Sequence, residues 1–250
     1  MIRILLVGAN GRMGRAVSAA CGADHKIAAR VDSVISDGVY NDISFVLEKC
    51  DVIVDFSSHM YTKNVLDYAV KNGLPAVIAT TGHTQEEEEQ IREAAEKIPV
   101  FKAGNMSIAV NLMCRLAAEA AGMLDGFDVE IIETHHRNKL DAPSGTALMI
   151  ASAIEEVKGP MDHVTDRTGR SEKRPYNEIG IHSVRGGSDI GEHEVIFFGN
   201  GERLSIKHFA EGRELFASGA LRACSYIVTK EAGYYDMRSL LLDHGREMKK

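Results

Sequence analysis

Between Glu133 and Thr146 the chain reads Glu-Thr-His-His-Arg-Asn-Lys-Leu-Asp-Ala-Pro-Ser-Gly-Thr, which sets His135, His136, Arg137 and Lys139 just ahead of a Ser-Gly-Thr able to open a helix. A lysine ammonium, or an imidazole with a reference pKa near ~6.5, can give a proton to a centre where negative charge develops. Pro143 before Ser144, with an apolar helical pattern behind it, makes Ser144 an N-cap and turns the N–H groups of Gly145 and Thr146 outward. Such a helix end holds a carboxylate. The chemistry suggested is proton donation to a small anion bearing more than one carboxylate. His135 and His136 are adjacent at the end of a strand-like run, so their side chains diverge, and no His-x-x-x-His or Glu-x-x-His spacing accompanies them. No metal is expected.

A second constellation lies at the start of the chain. Ile2 to Val7 is an apolar run that stops at Gly8-Ala9-Asn10-Gly11-Arg12-Met13-Gly14 and passes into the helical pattern Ala16, Val17, Ala19, Ala20. Glycines at i, i+3 and i+6 let the backbone turn tightly and bring helix N–H groups up to a pyrophosphate. Asp32 ends the second strand where a ribose-binding acid belongs, so the turn reads as a dinucleotide site. An acidic residue there favours NADH, because a 2′-phosphate would face its carboxylate; Ser33, Arg12 and Arg30 leave NADPH open. Ligands of open α/β sheets bind beyond the carboxyl ends of the strands. The loops Ala79-Thr80-Thr81-Gly82 and Ala103-Gly104-Asn105-Met106 should therefore border the nicotinamide.

The elements that must position these groups follow from periodicity. Strands fit 2–7, 26–31, 51–56, 75–79 and 99–102, with helices near 60–72 and 85–97, which implies a Rossmann-type, doubly wound parallel sheet covered on both faces. Glu86 to Glu89 resemble a charge run, but Thr84 and Glu87 make a capping box at a helix start. Beyond Asn105 the pattern changes: helix 108–123, strand 128–134, helix 146–157, a polar segment over roughly 159–180, strands near 179–184, 193–199 and 203–209, then a long helix through Thr229 and a short one near 236–242. Gly199-Asn200-Gly201 supplies a tight turn between the last two strands. The expectation is an α/β first domain, 1–106 with 217–250, and a second α+β domain, 107–216, with a mixed open sheet.

Net charge of −7 and a pI near 5.8 argue against a nucleic-acid partner, and no apolar run is long enough to cross a bilayer. The short run before Gly8 does not fit a signal peptide, so the expected compartment is the cytoplasm. Cys21, Cys50, Cys114 and Cys224 are far apart and sit among apolar residues, as reduced buried thiols do.

The stretch Glu133 to Thr146 resembles the signature of the 4-hydroxy-tetrahydrodipicolinate reductase (dihydrodipicolinate reductase) family. The likeness extends to Gly8–Gly14, Asp55-Phe56-Ser57, Thr80-Thr81-Gly82, Asn105–Asn111, Gly191-Glu192-His193 and Phe216–Leu221. It implies an enzyme of lysine and diaminopimelate biosynthesis that uses NAD(P)H to reduce a cyclic dicarboxylate, with hydride to ring carbon 4 and a proton to the adjacent carbon. It implies His135 as acid/base, Lys139 as proton donor, His136, Gly145 and Thr146 as substrate contacts, and a homotetramer assembled through second-domain sheets; the N-cap reading adds Ser144 to the substrate contacts. Residues 8–13, Asp32, 79–81 and 103–106 would hold the cofactor. Hydride donor and acceptor would come from different domains, with closure aligning them. His59, Ala109 and Tyr226 depart from the family's usual proline, glycine and tryptophan. The glycine turn alone leaves two other readings: a related nicotinamide oxidoreductase acting on another small keto or imino acid, and a nucleotide-sensing protein without turnover.

Overall fold

The structure, a computed structural model, describes residues 1–34 and 36–247. The chain runs β1 (Ile2–Val7), α1 (Arg12–Ala20), β2 (His25–Val31), β3 (Val52–Asp55), α2 (His59–Asn72), β4 (Ala76–Ile78), α3 (Gln85–Ala95) and β5 (Pro99–Lys102). It continues through α4 (Ile108–Met123), β6 (Asp128–His135), α5 (Gly145–Lys158), β7 (Asp162–Val164), β8 (Glu178–Arg185), β9 (Gly191–Phe198) and β10 (Arg203–Ala210), and closes with α6 (Glu214–Ile227), β11 (Gly233–Tyr235) and α7 (Met237–Glu247). Two compact units result, Met1–Ile108 with Arg213–Lys250, and Ala109–Gly212. The second break falls at Arg213, the N-cap of α6, because a boundary at 217 would cut that helix.

The first unit is a six-stranded sheet in the order β11-β5-β4-β3-β1-β2, parallel throughout. Alternate residues of each strand serve opposite faces, and both faces are covered. Ile4, Leu6, Val52, Val54, Val77 and Phe101 pack with α1 and α6 through Val17, Ala217, Ala220 and Cys224. Leu5, Val7, Ile53, Ala76, Ile78 and Val100 pack with α2 and α3 through Val65, Leu66, Ala69, Ile91 and Ala94. Each fully buried valine, leucine, isoleucine or phenylalanine among them contributes about 1.5–3 kcal/mol relative to exposure. The chain leaves β1 to one side for β2 and then returns to the other for β3, so the carboxyl ends of β1 and β3 flank a topological switch point.

The three-residue β11 is too short to leave a periodic signal, and the sequence reading does not include it. It adds to the edge at β5. There Tyr235 meets Tyr226 edge to face at 5.9 Å, and Tyr226 meets Phe101 at 6.1 Å. The Tyr226 hydroxyl donates to Asp243 at 3.0 Å, so the position where tryptophan is usual is filled by an aromatic with a satisfied polar tip. The capping box is formed as expected: Glu87 N–H donates to Thr84 Oγ1 at 3.2 Å, and Thr84 N–H to Glu87 Oε2 at 2.7 Å.

The second unit carries a five-stranded sheet, β10-β9-β6-β8-β7, with β6, β7 and β8 parallel and β9 and β10 antiparallel to their neighbours. One face packs on α4 and α5, where Val110, Met113, Ala117, Ala147, Ile150 and Ile154 meet Val129, Ile131, Ile181, Val195 and Phe197. The opposite face holds the half-exposed Val184, Phe198 and Phe209. The polar segment read as a connection contains β7 and a set of arginines that tie it down. Arg167 and Arg174 reach Glu130 at 2.7 and 3.2 Å, and Arg170 reaches the buried Glu178 at 2.6 Å. Gly180 makes room for this network, since a Cβ there would lie 1.8 Å from Glu130 Oε2. Cys50, Cys114 and Cys224 are buried and Cys21 is half-buried, all as free thiols. Among the described residues no helix is long and apolar enough to cross a membrane.

Candidate active site

In β6 the inward positions are Val129, Ile131, Glu133 and His135, alternating with partly exposed residues over the whole strand. The strand's two-residue period therefore carries an acid and an imidazole onto the face that is apolar lower down. Neighbouring strands add to that face by register: Arg185 pairs with His135, His193 with Glu133, and His208 with His193.

Glu133 is fully buried and is the hub of this cluster. Its Oε2 receives Arg185 Nη1 at 2.7 Å and lies 2.6 Å from His135 Nδ1; its Oε1 receives Arg185 Nη2 at 2.7 Å and the Ser144 N–H at 3.1 Å. Burial alone would raise its pKa. Hydrogen bonds from Arg185, Ser183 and His135 outweigh that and hold it at about 2. His135 is shifted the other way: burial lowers its pKa, the bond to Glu133 opposes this, and the charges of Lys139 and Arg185 lower it further. Burial also takes His193 down to about 4, helped by the charge that His135 would carry. Both imidazoles are neutral at neutral pH, and their rings meet edge to face at 5.1 Å.

The loop after β6 is tied to the connection between β8 and β9. His136 N–H donates to Asp189 O at 2.8 Å, Gly186 N–H to His135 O at 3.0 Å, and Lys139 N–H to His136 O at 3.1 Å. The loop brings the Lys139 ammonium to 2.8 Å from Asp141 Oδ1. Ser144 caps α5 as expected, its Oγ accepting from Ala147 N–H at 3.1 Å and lying 2.9 Å from His193 Nε2. Ser144 is buried, with its hydroxyl and N–H both engaged within the cluster. Gly145, exposed, and Thr146, half-buried, form the outward side of the turn.

In the first unit the glycine turn sits at the switch point. Gly8 has φ +78°, and a Cβ on it would lie 2.6 Å from Phe56 O; a Cβ on Gly14 would lie 2.2 Å from Gly8 O. Both contacts are with backbone, which has no rotamer to move aside. The buried Asp55 closes the turn after β3 by accepting from Ser57 N–H at 2.9 Å and Ser57 Oγ at 2.5 Å. Gly11 caps α1 without a side-chain bond, so the first-turn N–H groups of α1, from Arg12 and Met13, are not covered by a capping side chain. Asp32 has a structural use that spacing does not reveal: it accepts from Asn10 N–H at 2.8 Å and Val34 N–H at 2.9 Å, tying the glycine turn to the loop after β2. The two further loops meet where Ala103 N–H donates to Ile78 O at 3.1 Å. Thr80 is buried with Oγ1 on Asp55 O at 3.3 Å, Thr81 and Gly104 are exposed, and Asn105 Oδ1 accepts from Ser107 N–H at 2.9 Å. Ala79 and Met106 belong to the core. Among the described residues no group of His, Cys, Asp and Glu could hold a metal ion.

Two family models match, one described as "Dihydrodipicolinate reductase, N-terminus" over residues 2–106 and one as "Dihydrodipicolinate reductase, C-terminus" over residues 109–241. The chain belongs to the dihydrodipicolinate reductase family. A 4-hydroxy-tetrahydrodipicolinate reductase of Caldanaerobacter subterraneus subsp. tengcongensis is 44% identical over 247 residues, covering 96% of this chain and 98% of the relative. One of Clostridium tetani is 43% identical over 250 residues, covering 96% and 97%. The dipicolinate-bound dihydrodipicolinate reductase of Paenisporosarcina sp. TG-14 superposes with a TM-score of 0.79 at 27% identity, covering 94% of this chain and 97% of that one.

Within this family member the sequence reading named His135, His136, Lys139, Ser144, Gly145 and Thr146, and one strand end, one loop and one helix start hold them all. It gave no role to Glu133, Arg185, Gly191 or His193. Glu133 was legible, because it stands two residues before His135 in a strand and so shares its face. Arg185 and His193 come from other strands, and only the register brings them in.

Proposed function

We propose that this chain reduces 4-hydroxy-tetrahydrodipicolinate, by way of dihydrodipicolinate, to tetrahydrodipicolinate with a nicotinamide cofactor. The observation that carries the reading is the single loop after β6, which joins Lys139, the Glu133-bound His135 and the α5 N-terminus in a member of this reductase family. The family assignment of both halves supports the same reaction. The relatives' name supplies the substrate, and a bound dipicolinate in the Paenisporosarcina enzyme supports a cyclic dicarboxylate.

The residues divide the work. The α5 N-terminus, opened by Ser144 and presented by Gly145 and Thr146, holds one carboxylate, while His136 and Lys139 draw the other. Lys139 gives its proton to the ring carbon next to the one reduced, and its cationic head stabilises the enamine-like anion before transfer. Asp141 steadies that head from outside.

The first unit fits a dinucleotide: at Gly8 and Gly14 the backbone leaves no room for a side chain, and α1 opens without a side-chain cap. Residues Gly8, Ala9, Asn10, Gly11, Arg12 and Met13 would face the pyrophosphate and Asp32 the ribose, with residues 79–81 and 103–106 near the ring. When bound, the reduced nicotinamide supplies the hydride. Each Asp32 oxygen has one N–H partner and keeps a lone pair for a ribose hydroxyl, which supports NADH as the better cofactor. The assembly is a homotetramer through the second unit's open sheet face; the half-exposed Val184, Phe198 and Phe209 support this, and sedimentation as a monomer would refute it.

The deciding experiment couples the protein to dihydrodipicolinate synthase and its substrates. NADH and NADPH should both be consumed, with the lower KM for NADH. No consumption at micromolar enzyme refutes the activity; a clear NADPH preference refutes the cofactor assignment alone. Turnover of a different keto or imino acid in a substrate panel would favour the related-oxidoreductase reading.

A further inference from the structure

Glu133 is ionised, fully buried and given three N–H donors by Arg185 and Ser144, so each of its oxygens can only accept. The nitrogen 2.6 Å away, His135 Nδ1, must therefore carry a hydrogen. In the neutral imidazole the lone pair is then on Nε2. The Nε2 edge faces Gly191, where even a methyl group would lie 2.9 Å from it, so a glycine keeps that edge open.

From this geometry we infer that Glu133, held by Arg185, is a positioning residue that locks His135 in the Nδ1–H tautomer and makes its Nε2 an acceptor, leaving proton donation to Lys139. The inference rests on the reading of His135 and Lys139 as the proton-transfer pair. Arg185 has a distinct part. A lone carboxylate beside His135 would draw a proton onto the ring, whereas the bidentate guanidinium shares that charge and lets Glu133 orient the imidazole without protonating it. The charged and titratable groups facing His135 are Glu133 from its own strand, Arg185 from β8, His193 from β9 and Lys139 from the loop; His208 of β10 lies behind His193. Of these, Lys139 and Arg185 disfavour the imidazolium.

The test uses the full chain labelled with nitrogen-15 in its histidines, with His135→Asn to assign the resonance. At pH 7 the unsubstituted protein should show His135 protonated on Nδ1 and bare on Nε2. In Glu133→Gln the amide can donate to Nδ1, and the tautomer should reverse. The synthase-coupled kcat should fall at least about tenfold, as when an imidazole is held in the wrong tautomer, with KM moving less than about threefold. Glu133→Asp, which keeps the carboxylate, should retain the Nδ1–H form and recover part of kcat. An Nε2-protonated or doubly protonated His135 in the unsubstituted protein overturns the inference without recourse to any variant's folding, and so does a near-native kcat in a folded Glu133→Gln. The tautomer measurement needs no substrate. Loss of the reductase reading, seen as no turnover by the unsubstituted enzyme, is therefore distinguishable from loss of the tautomer lock.

Discussion

Mild acid should destabilise this protein through a buried histidine. His193, 4% exposed, has its pKa taken from 6.5 to about 4, mainly by burial. A histidine with a lowered folded-state pKa binds its proton more readily when unfolded. Its stabilisation is therefore complete above pH 6.5, declines as the pH falls through that value, and is gone below about 4. The shift corresponds to about 3 kcal/mol in total, of which roughly 2 kcal/mol is lost between pH 7 and pH 4.5. Glu133, with a pKa of about 2 against 4.5, works in the opposite sense of charge but also loses stabilisation in acid. Its window lies at 4.5 and below, so over the same interval it contributes less than about 0.5 kcal/mol and His193 dominates. The perturbation is His193→Gln, whose amide can reach the place of Nε2 beside Ser144 without titrating. Because the chain has no tryptophan, unfolding is best followed in urea by far-ultraviolet circular dichroism. The unsubstituted protein should lose about 2 kcal/mol more than the variant between pH 7 and 4.5. His83, lowered in the same direction, and the raised carboxyl of Asp55, acting the other way, are common to both proteins and cancel; His135 and His208, also lowered, interact with His193, so their titrations are followed by NMR in both proteins. Equal losses would refute the assignment of the acid sensitivity to His193.

Further outcomes follow from the same geometry. Gly14→Ala sets a methyl group 2.2 Å from Gly8 O, so the glycine turn must shift; NADH affinity by calorimetry should weaken by about tenfold or more, and unchanged affinity would detach this turn from the cofactor. Lys139→Ala and His135→Ala should each lower kcat by about 10²–10⁴-fold in the coupled assay, and near-native kcat in either removes that residue from proton transfer. Ser144→Ala uncaps α5 and leaves His193 Nε2 without its partner; thermal and urea unfolding should report a loss of about 2–4 kcal/mol, and a loss below about 0.5 kcal/mol would show that the cap is replaced by water.

Most of the elements, and the segments that carry both candidate sites, are legible along the chain alone. Apolar runs punctuated by glycine specify the parallel sheet of the first unit, because strands buried on both faces have no polar positions to interrupt them. The capping box at Thr84 and the cap at Ser144 are local interactions, complete within four residues, and so are readable from spacing. The basic stretch before Ser144 places the reactive groups for the same reason: residues 135 to 146 are close in space because they are close in the chain. β11 and β7 escaped, since each is three residues long and, unlike the equally short β4, neither is an unbroken apolar run. The protonation of those candidate groups is set by packing that no spacing along the chain shows. Whether His135 donates or accepts depends on a carboxylate two residues away, an arginine paired across β8 and a histidine across β9, brought together by strand register. Asp32 likewise is an acid at the right spacing in the sequence, and in the fold it is also the tie between the glycine turn and its neighbouring loop. Spacing along the chain tells which groups are present; burial and non-local partners set their protonation, because desolvation and hydrogen bonding act through space.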